Sequence, residues 1–141
     1  FWPKGREPIY ECAGVATNQI RGPLLADLYA SIKVVVGDSC LLPGDHGRYW
    51  SDRIPETLGR GGFLLHPWVG GIDDHFTDGE HLRLWPAGDW RELQRLIEHY
   101  LRNDDERRRI AEAGRLHVLE NHTYTVRVRQ LLERIGLEAA A

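Results

Sequence analysis

The sequence predicts an α/β domain: a parallel sheet flanked by helices and followed by a helical tail. Two observations predict it. Three short runs rich in β-branched or apolar residues, Ile32 to Val36, Phe63 to Leu65 and Leu82 to Trp85, are separated by helical or loop segments. Strands alternating with helices build parallel sheets. From Asp89 onward, apolar residues recur every three or four positions, the period of helices that cover such a sheet. At 141 residues the chain has room for one core.

Taken in order, residues 1–9 are aromatic, Pro-rich and charged and read as a linker or loop. Tyr10 to Val15 reads as a short strand. Pro23 opens a helix, because its missing N–H would be unpaired in a first turn anyway. Leu24, Leu25, Leu28 and Tyr29 form that helix's apolar stripe. Ile32 to Val36 has the pattern of a strand buried on both faces, and a Gly-, Pro- and Asp-rich loop follows from Gly37 to Gly47. A short helix spans Asp52 to Gly59. Phe63 to Leu65 is a second buried strand, stopped by His66-Pro67. A long loop through Gly70, Gly71 and Asp73 leads to the strand at Leu82 to Trp85.

The rest is helical. Asp89 with Glu92 makes a capping box, and Leu93, Leu96, Ile97, Tyr100 and Leu101 form the inward face. Asn103 with Glu106 makes a second box, and Ile110, Ala113 and Val118 are the apolar positions of its helix. Thr123 caps a last helix with Val128, Leu131, Leu132 and Ile135 inward.

Composition narrows the function. Hydrophobic residues make up 42% and charged residues 28%, which excludes a disordered chain. A formal net charge of -3 offers no general attraction to nucleic acid or to anionic lipid. Lys4 and Lys33 are the only lysines among the 18 basic residues; the arginines could serve phosphate recognition, though solvated helix faces account for most of them. Cys12 and Cys40 show no CxxC spacing and read as free thiols of a reducing cytoplasm. No apolar stretch approaches the length of a membrane span. The absence of methionine marks the chain as part of a longer one.

Ligands of parallel sheets bind beyond the carboxyl ends of the strands. That rule selects the loops Gly37 to Gly47 and His66 to Asp74, and the helix start near Asp52 to Glu56. Ser39 and Arg48 accompany the first loop; Arg53 and Glu56 stand at the helix start, where free N–H groups suit a diphosphate. A solvated helix carboxylate is the plainer reading of Glu56 taken alone. His66, Asp73, Asp74, His75 and His81 match no helix-borne ligand pair, so no protein-bound metal is expected. His122 reads as a structural or capping histidine. Trp50 and Trp68 lie in ligand-side loops and could stack on a base or sugar, whereas Trp85 and Trp90 read as core.

The run Arg53-Ile54-Pro55-Glu56-Thr57-Leu58-Gly59-Arg60-Gly61-Gly62-Phe63-Leu64-Leu65 resembles a segment of group 1 glycosyltransferases with the GT-B fold. Their spore-maturation-type subgroup is the nearest. Leu25 to Val36, Phe76 to His81, and Ile110 to Arg115 with His122-Thr123-Tyr124 and Arg127 resemble further segments in the same order. The resemblance runs from about Gly14 to Leu132.

It implies a Rossmann-like donor-nucleotide-binding half of a GT-B enzyme, residues 1–141, with the acceptor site on an N-terminal domain outside this chain. The implied activity is sugar transfer, of hexosyltransferase type, from a nucleoside-diphosphate sugar to a sugar, lipid or protein acceptor. Glu56 corresponds to the carboxylate that grips the ribose hydroxyls, and such a group accepts short charge-assisted bonds. Gly61 matches the small residue that turns the helix into the next strand. Where many relatives carry a second Glu this chain has Arg48, so Arg48 and Arg53 become candidates for the diphosphate. No tightly bound cofactor is implied, and any divalent cation would come with the donor. A non-catalytic nucleotide-binding or interaction module derived from such an enzyme is the alternative.

Overall fold

The structure, a computed structural model, describes residues 11–12, 15–16, 22–37 and 50–137. Its centre is a parallel three-stranded sheet in the order β3-β4-β5: Val35–Val36, Leu64–Pro67 and Arg83–Trp85. The register pairs Val35 with Leu64 across β3 and β4, and Leu65 with Arg83 across β4 and β5. Helices α1 (Gly22–Ser31), α2 (Arg53–Gly59), α3 (Trp90–Arg102), α4 (Asp104–Asn121) and α5 (Tyr124–Arg134) complete it. The α/β architecture expected from the alternation of runs is therefore present.

Side chains of β4 alternate between two cores, as a pleated strand requires. Leu64 joins Ile54, Leu58, Val69, Ile72, Phe76, Leu82 and Val118 on one side. Phe63 and Leu65 join Trp85, Leu93, Leu96, Tyr100 and Ile110 on the other. Helix α4 serves both, with Ile110 in one core and Val118 in the other. Each such aliphatic residue, fully buried, contributes about 1.5–3 kcal/mol.

Several boundaries differ from expectation. The strand expected at Tyr10 to Val15 is two short strands, β1 (Glu11–Cys12) and β2 (Val15–Ala16), paired antiparallel to each other. The strand expected from Ile32 begins only at Val35, and Val36 is half exposed. Among the described residues no strand pairs with the far side of β3, and Val36 is left open there. His66-Pro67 does not stop β4; the strand continues through both, and His66 is buried. Proline is tolerated because backbone groups alternate sides. Trp68 N–H donates to Trp85 O on the β5 side (2.8 Å) and Gly37 N–H to Leu65 O on the β3 side (2.8 Å). The N–H that Pro67 lacks would therefore point past the end of β3.

The caps split in the same way. Asp89 Oδ1 accepts from Glu92 N–H (3.0 Å), but Glu92 turns to Arg95 (2.6 Å) instead of completing the box. The Asn103 side chain caps nothing in α4. Helices α3 and α4 meet at that residue, and its amide donates back to His99 O (2.7 Å). Glu106 takes the His99 ring (2.8 Å) and accepts from the Tyr100 hydroxyl (3.3 Å). Its bond to His99 is the chief cause of a lowered Glu106 pKa, and burial pushes the Tyr100 phenol up to about 12. Buried Arg107 donates to Tyr100 O (2.6 Å) and Asp104 (2.6 Å), closing the end of α3. Thr123 caps α5 as expected, accepting from Val126 N–H (3.3 Å). Leu101, Val128, Leu131 and Ile135 are exposed, not inward, since no described element covers those faces.

Candidate functional site

Helix α2 buries Ile54, Thr57 and Leu58 against the sheet and α4. That spacing leaves Arg53, Glu56 and Arg60 along the outer stripe. Parallel β3 and β4 require α2 to run back between them, so its first turn stands at the strands' carboxyl end. Ser51 Oγ accepts from Arg53 N–H there (3.1 Å). The Arg53 side chain is exposed.

Glu56 Oε1 lies 3.4 Å from Arg60 Nη2, with the Glu56 side chain 39% exposed. Arg60 Nη1 also donates to Gly22 O at the start of α1 (3.1 Å). The second Glu56 oxygen has no hydrogen bond among the described residues. Glu56 and Arg60 border a groove of about 700 Å³ completed by Trp50, Asp52, His122 and Tyr124. A carboxylate, a guanidinium and an indole thus face one space that a small ligand could enter.

The expected site residues fall in different places. Arg53 and Glu56 share the α2 stripe. Gly61 is at the far end of the helix: its φ of +82° is the left-handed conformation that glycine adopts without a Cβ penalty. Gly61 N–H bonds Leu58 O (2.8 Å) and Gly62 N–H bonds Thr57 O (3.0 Å), a Schellman closure of α2. Ser39, Arg48 and most of the Gly37–Gly47 loop lie outside the described residues, as does Cys40.

The histidines do not act as one set. His66 is buried in β4, donating from Nδ1 to Pro67 O (2.7 Å). His81 stacks on His117 with ring centroids 4.0 Å apart. His117 Nε2 donates to His75 O (2.7 Å), and the His75 and His122 rings meet edge-on at 5.9 Å. Arg127 donates to His122 Nδ1 (2.6 Å), and Phe76 stacks on the His122 ring (4.7 Å). Among the described residues no group of three His, Cys, Asp or Glu is arranged to hold a metal ion. His122 therefore ties loop 72–77 to the α4–α5 junction, in keeping with a structural reading. His117 was not singled out from sequence. Its signal is the stripe Ile110, Gly114, His117 and Asn121, of which two members are polar and one has no side chain.

Trp50 is half-buried and meets His75 and Phe76 edge-on, each at 5.6 Å. It walls the groove more than it offers a free face. Trp68 is exposed and Trp85 buried as expected, but Trp90 is 70% exposed. It opens α3 at the rim of the core, one side tilted against Trp85 (ring centroids 5.4 Å apart) and the rest in solvent.

Burial, then the Arg127 and His117 charges, lower the His122 pKa from its ordinary 6.5 to about 4. The folded protein therefore holds His122 neutral while the unfolded chain takes up a proton below about 6.5. Stability should be full above that pH and decline as the pH falls toward about 4. His81, lowered chiefly by burial, acts in the same direction. The urea midpoint followed from pH 7 to 4 should fall more steeply in the wild type than in His122→Gln, which carries no titrating ring. Parallel curves would mean that His122 titrates alike in both states.

Residues 2–133 match the family described as glycosyl transferase-like. No curated protein matches the chain. Among solved structures, Anabaena HepE, crystallised in complex with UDP-glucose, superposes with a TM-score of 0.66 at 17% identity. The superposition covers 77% of this chain and 29% of HepE, so the chain spans under a third of that protein's length. At that identity the likeness speaks for the fold.

Proposed function

Because the chain belongs to the glycosyl transferase-like family, we propose that it is the donor-binding part of a sugar-transferring enzyme. It binds a nucleoside-diphosphate sugar in the groove beside α2. The observation that carries this reading is Glu56: a carboxylate with one oxygen uncommitted, on a helix whose first turn stands at the strands' carboxyl ends. Glu56 accepts both hydroxyls of the ribose diol. Arg53, with Arg48 from the preceding segment, neutralises the diphosphate, assisted by Ser39, which follows Val36 by three residues in the sequence. Gly61 contributes by turning α2 back into the sheet. HepE was crystallised with UDP-glucose, which supports a uridine nucleotide and a hexose as the first donor to try. Within the family, the finer reading is a transferase of the spore-maturation type. A divalent ion, where one is used, arrives with the diphosphate, because such ions commonly bind through phosphates and few carboxylates.

The acceptor is positioned by a partner domain, in a cytoplasmic enzyme. Positioning supplies up to roughly 7–11 kcal/mol of barrier reduction, so residues 1–141 alone should bind UDP and UDP-glucose yet transfer no sugar. Calorimetric titration of both, alongside a radiolabelled transfer assay on a longer chain and on residues 1–141, tests this. Transfer onto a defined acceptor by residues 1–141 would overturn the division of labour, and absence of any nucleotide binding would overturn the reading itself. Arg48 in place of a second carboxylate favours one rival, a nucleotide-binding module without turnover. Binding with no transfer by the longer chain would select it.

A further inference from the structure

Tyr124 begins α5 and, at 91%, is the most exposed large hydrophobic side chain among the described residues. It also borders the groove beside α2. Its backbone is nonetheless fixed. Thr123, directly before it, caps the helix by accepting from Val126 N–H (3.3 Å), and Arg127 N–H bonds Thr123 O (3.0 Å). His122 is pinned in turn by the Phe76 stack and by Arg127. The result is an aromatic ring carried on a rigid base and open to solvent, with no described ring against it.

The two walls of the groove show at which end that ring stands. On one wall Asp52, Glu56 and Gly59 follow one another along α2, about 10 Å from first to last at the helical rise. The other wall runs the opposite way. Val118 lies beside Gly59, where a Cβ would come 3.2 Å from Val118 Cγ1. His122, one turn later, lies 6.1 Å from Trp50, which precedes α2. The chain therefore reaches Tyr124 at the end of the groove where α2 begins. That is the carboxyl end of the strands, the side on which a parallel sheet binds its ligands. Trp50, the other large aromatic of the groove, is less free, since His75, Phe76 and His122 all meet its ring edge-on.

A free aromatic face and a carboxylate at one end of a groove suit a ligand that joins a π-face to a diol. A nucleoside is built that way, because its base leaves the ribose from the carbon next to the diol. Neither a free sugar nor inorganic phosphate has a π-face. We propose, resting on the donor-binding reading above, that Tyr124 is the base platform of the site: the donor's nucleobase stacks on its ring while Glu56 holds the ribose. Such stacking is tolerant of base identity because every base has a π-face. Tyr124 thus adds affinity, and the choice among bases falls to other groups.

Calorimetric titration of UDP and UDP-glucose into wild type, Tyr124→Ala and Tyr124→Phe tests this. Tyr124→Ala should weaken both ligands about tenfold, as loss of one stacked base does, and Tyr124→Phe should keep most of the affinity. In protein protonated only at its tyrosines, nuclear Overhauser transfer from a tyrosine ring to uracil H5 and H6 should appear in wild type and vanish in Tyr124→Phe. Tyr124 is exposed, so both variants should fold, and thermal melts verify that. UDP binding undiminished in Tyr124→Ala overturns the platform and leaves the donor reading standing. A loss confined to UDP-glucose would put the sugar on the ring and overturns it too. Weaker UDP binding without any tyrosine-to-uracil transfer in wild type makes the effect an indirect one and equally overturns the proposal. So does self-association that Tyr124→Ala abolishes while its UDP affinity holds, which would assign the ring to a second copy. A wild type that binds neither ligand removes the donor reading and the platform together.

Discussion

Gly114→Ala should destabilise the protein by about 3 kcal/mol, against the expectation from helix propensity. In the middle of an exposed helix, alanine is favoured over glycine by about 1 kcal/mol. Here a Cβ at position 114 would overlap the His81 carbonyl oxygen and come within 3.3 Å of Leu58 Cδ2. A backbone oxygen cannot rotate away as a flexible side chain can. Helix α4 would have to lift, loosening Ile110 in one core and Val118 in the other. Overpacking of this kind costs about 1–3 kcal/mol and sometimes more, which outweighs the propensity gain. The melting temperature should drop by about 10 °C, and the His81–His117 stack should weaken with it. A variant as stable as wild type, measured by urea unfolding with an unchanged slope, would show that α4 does not rest on the His81 backbone.

Glu56→Gln should reduce affinity for UDP about ten- to hundredfold while leaving the fold intact. Glutamine keeps the shape of the side chain but loses the charge that strengthens both proposed bonds to the ribose diol. Hydrogen bonds to charged groups are worth about 1.5–3 kcal/mol, which converts to that range of affinity. Folding should barely respond. The Glu56–Arg60 pair is partly exposed with a 3.4 Å separation, and such pairs contribute about 0–1 kcal/mol. The two effects thus separate in one variant. A 2′-deoxy nucleotide sharpens the test: it should bind wild type more weakly than the ribonucleotide, yet be scarcely distinguished by Glu56→Gln. Equal affinity of wild type and variant in a calorimeter, or an undiminished ribose preference in the variant, would reduce Glu56 to a surface carboxylate paired with Arg60.

Much of the fold was legible in the chain because its cause is local. The β-branched run ending at Val36, the apolar Phe63 to Leu65 and the 3.6-residue periods after Asp89 each signal their own element. Thr123 and Asp89 cap helices through side chains only three residues from the N–H groups they serve. Gly61 could be placed as a helix-to-strand turn because a left-handed residue is a single-position requirement. The stripe of Arg53, Glu56 and Arg60 on α2 likewise follows from helical spacing.

Long-range packing decided the rest. Burial of β3 depends on whether a strand lies beyond it, and the run Ile32 to Val36 carries no record of that. The exposed apolar face of α5 reads from sequence as a buried stripe, since periodicity reports that a face exists and not what covers it. Capping at Asn103 failed because α3 and α4 compete for one residue. Trp50 and Trp68 were equivalent as loop tryptophans, and only their neighbours separate them: Phe76, His75 and His122 enclose the first, while open space leaves the second free. The need for glycine at 114 is set by His81, 33 residues away in the chain. Local chemistry was thus written in the sequence, and contacts between distant segments became visible only when the chain was folded.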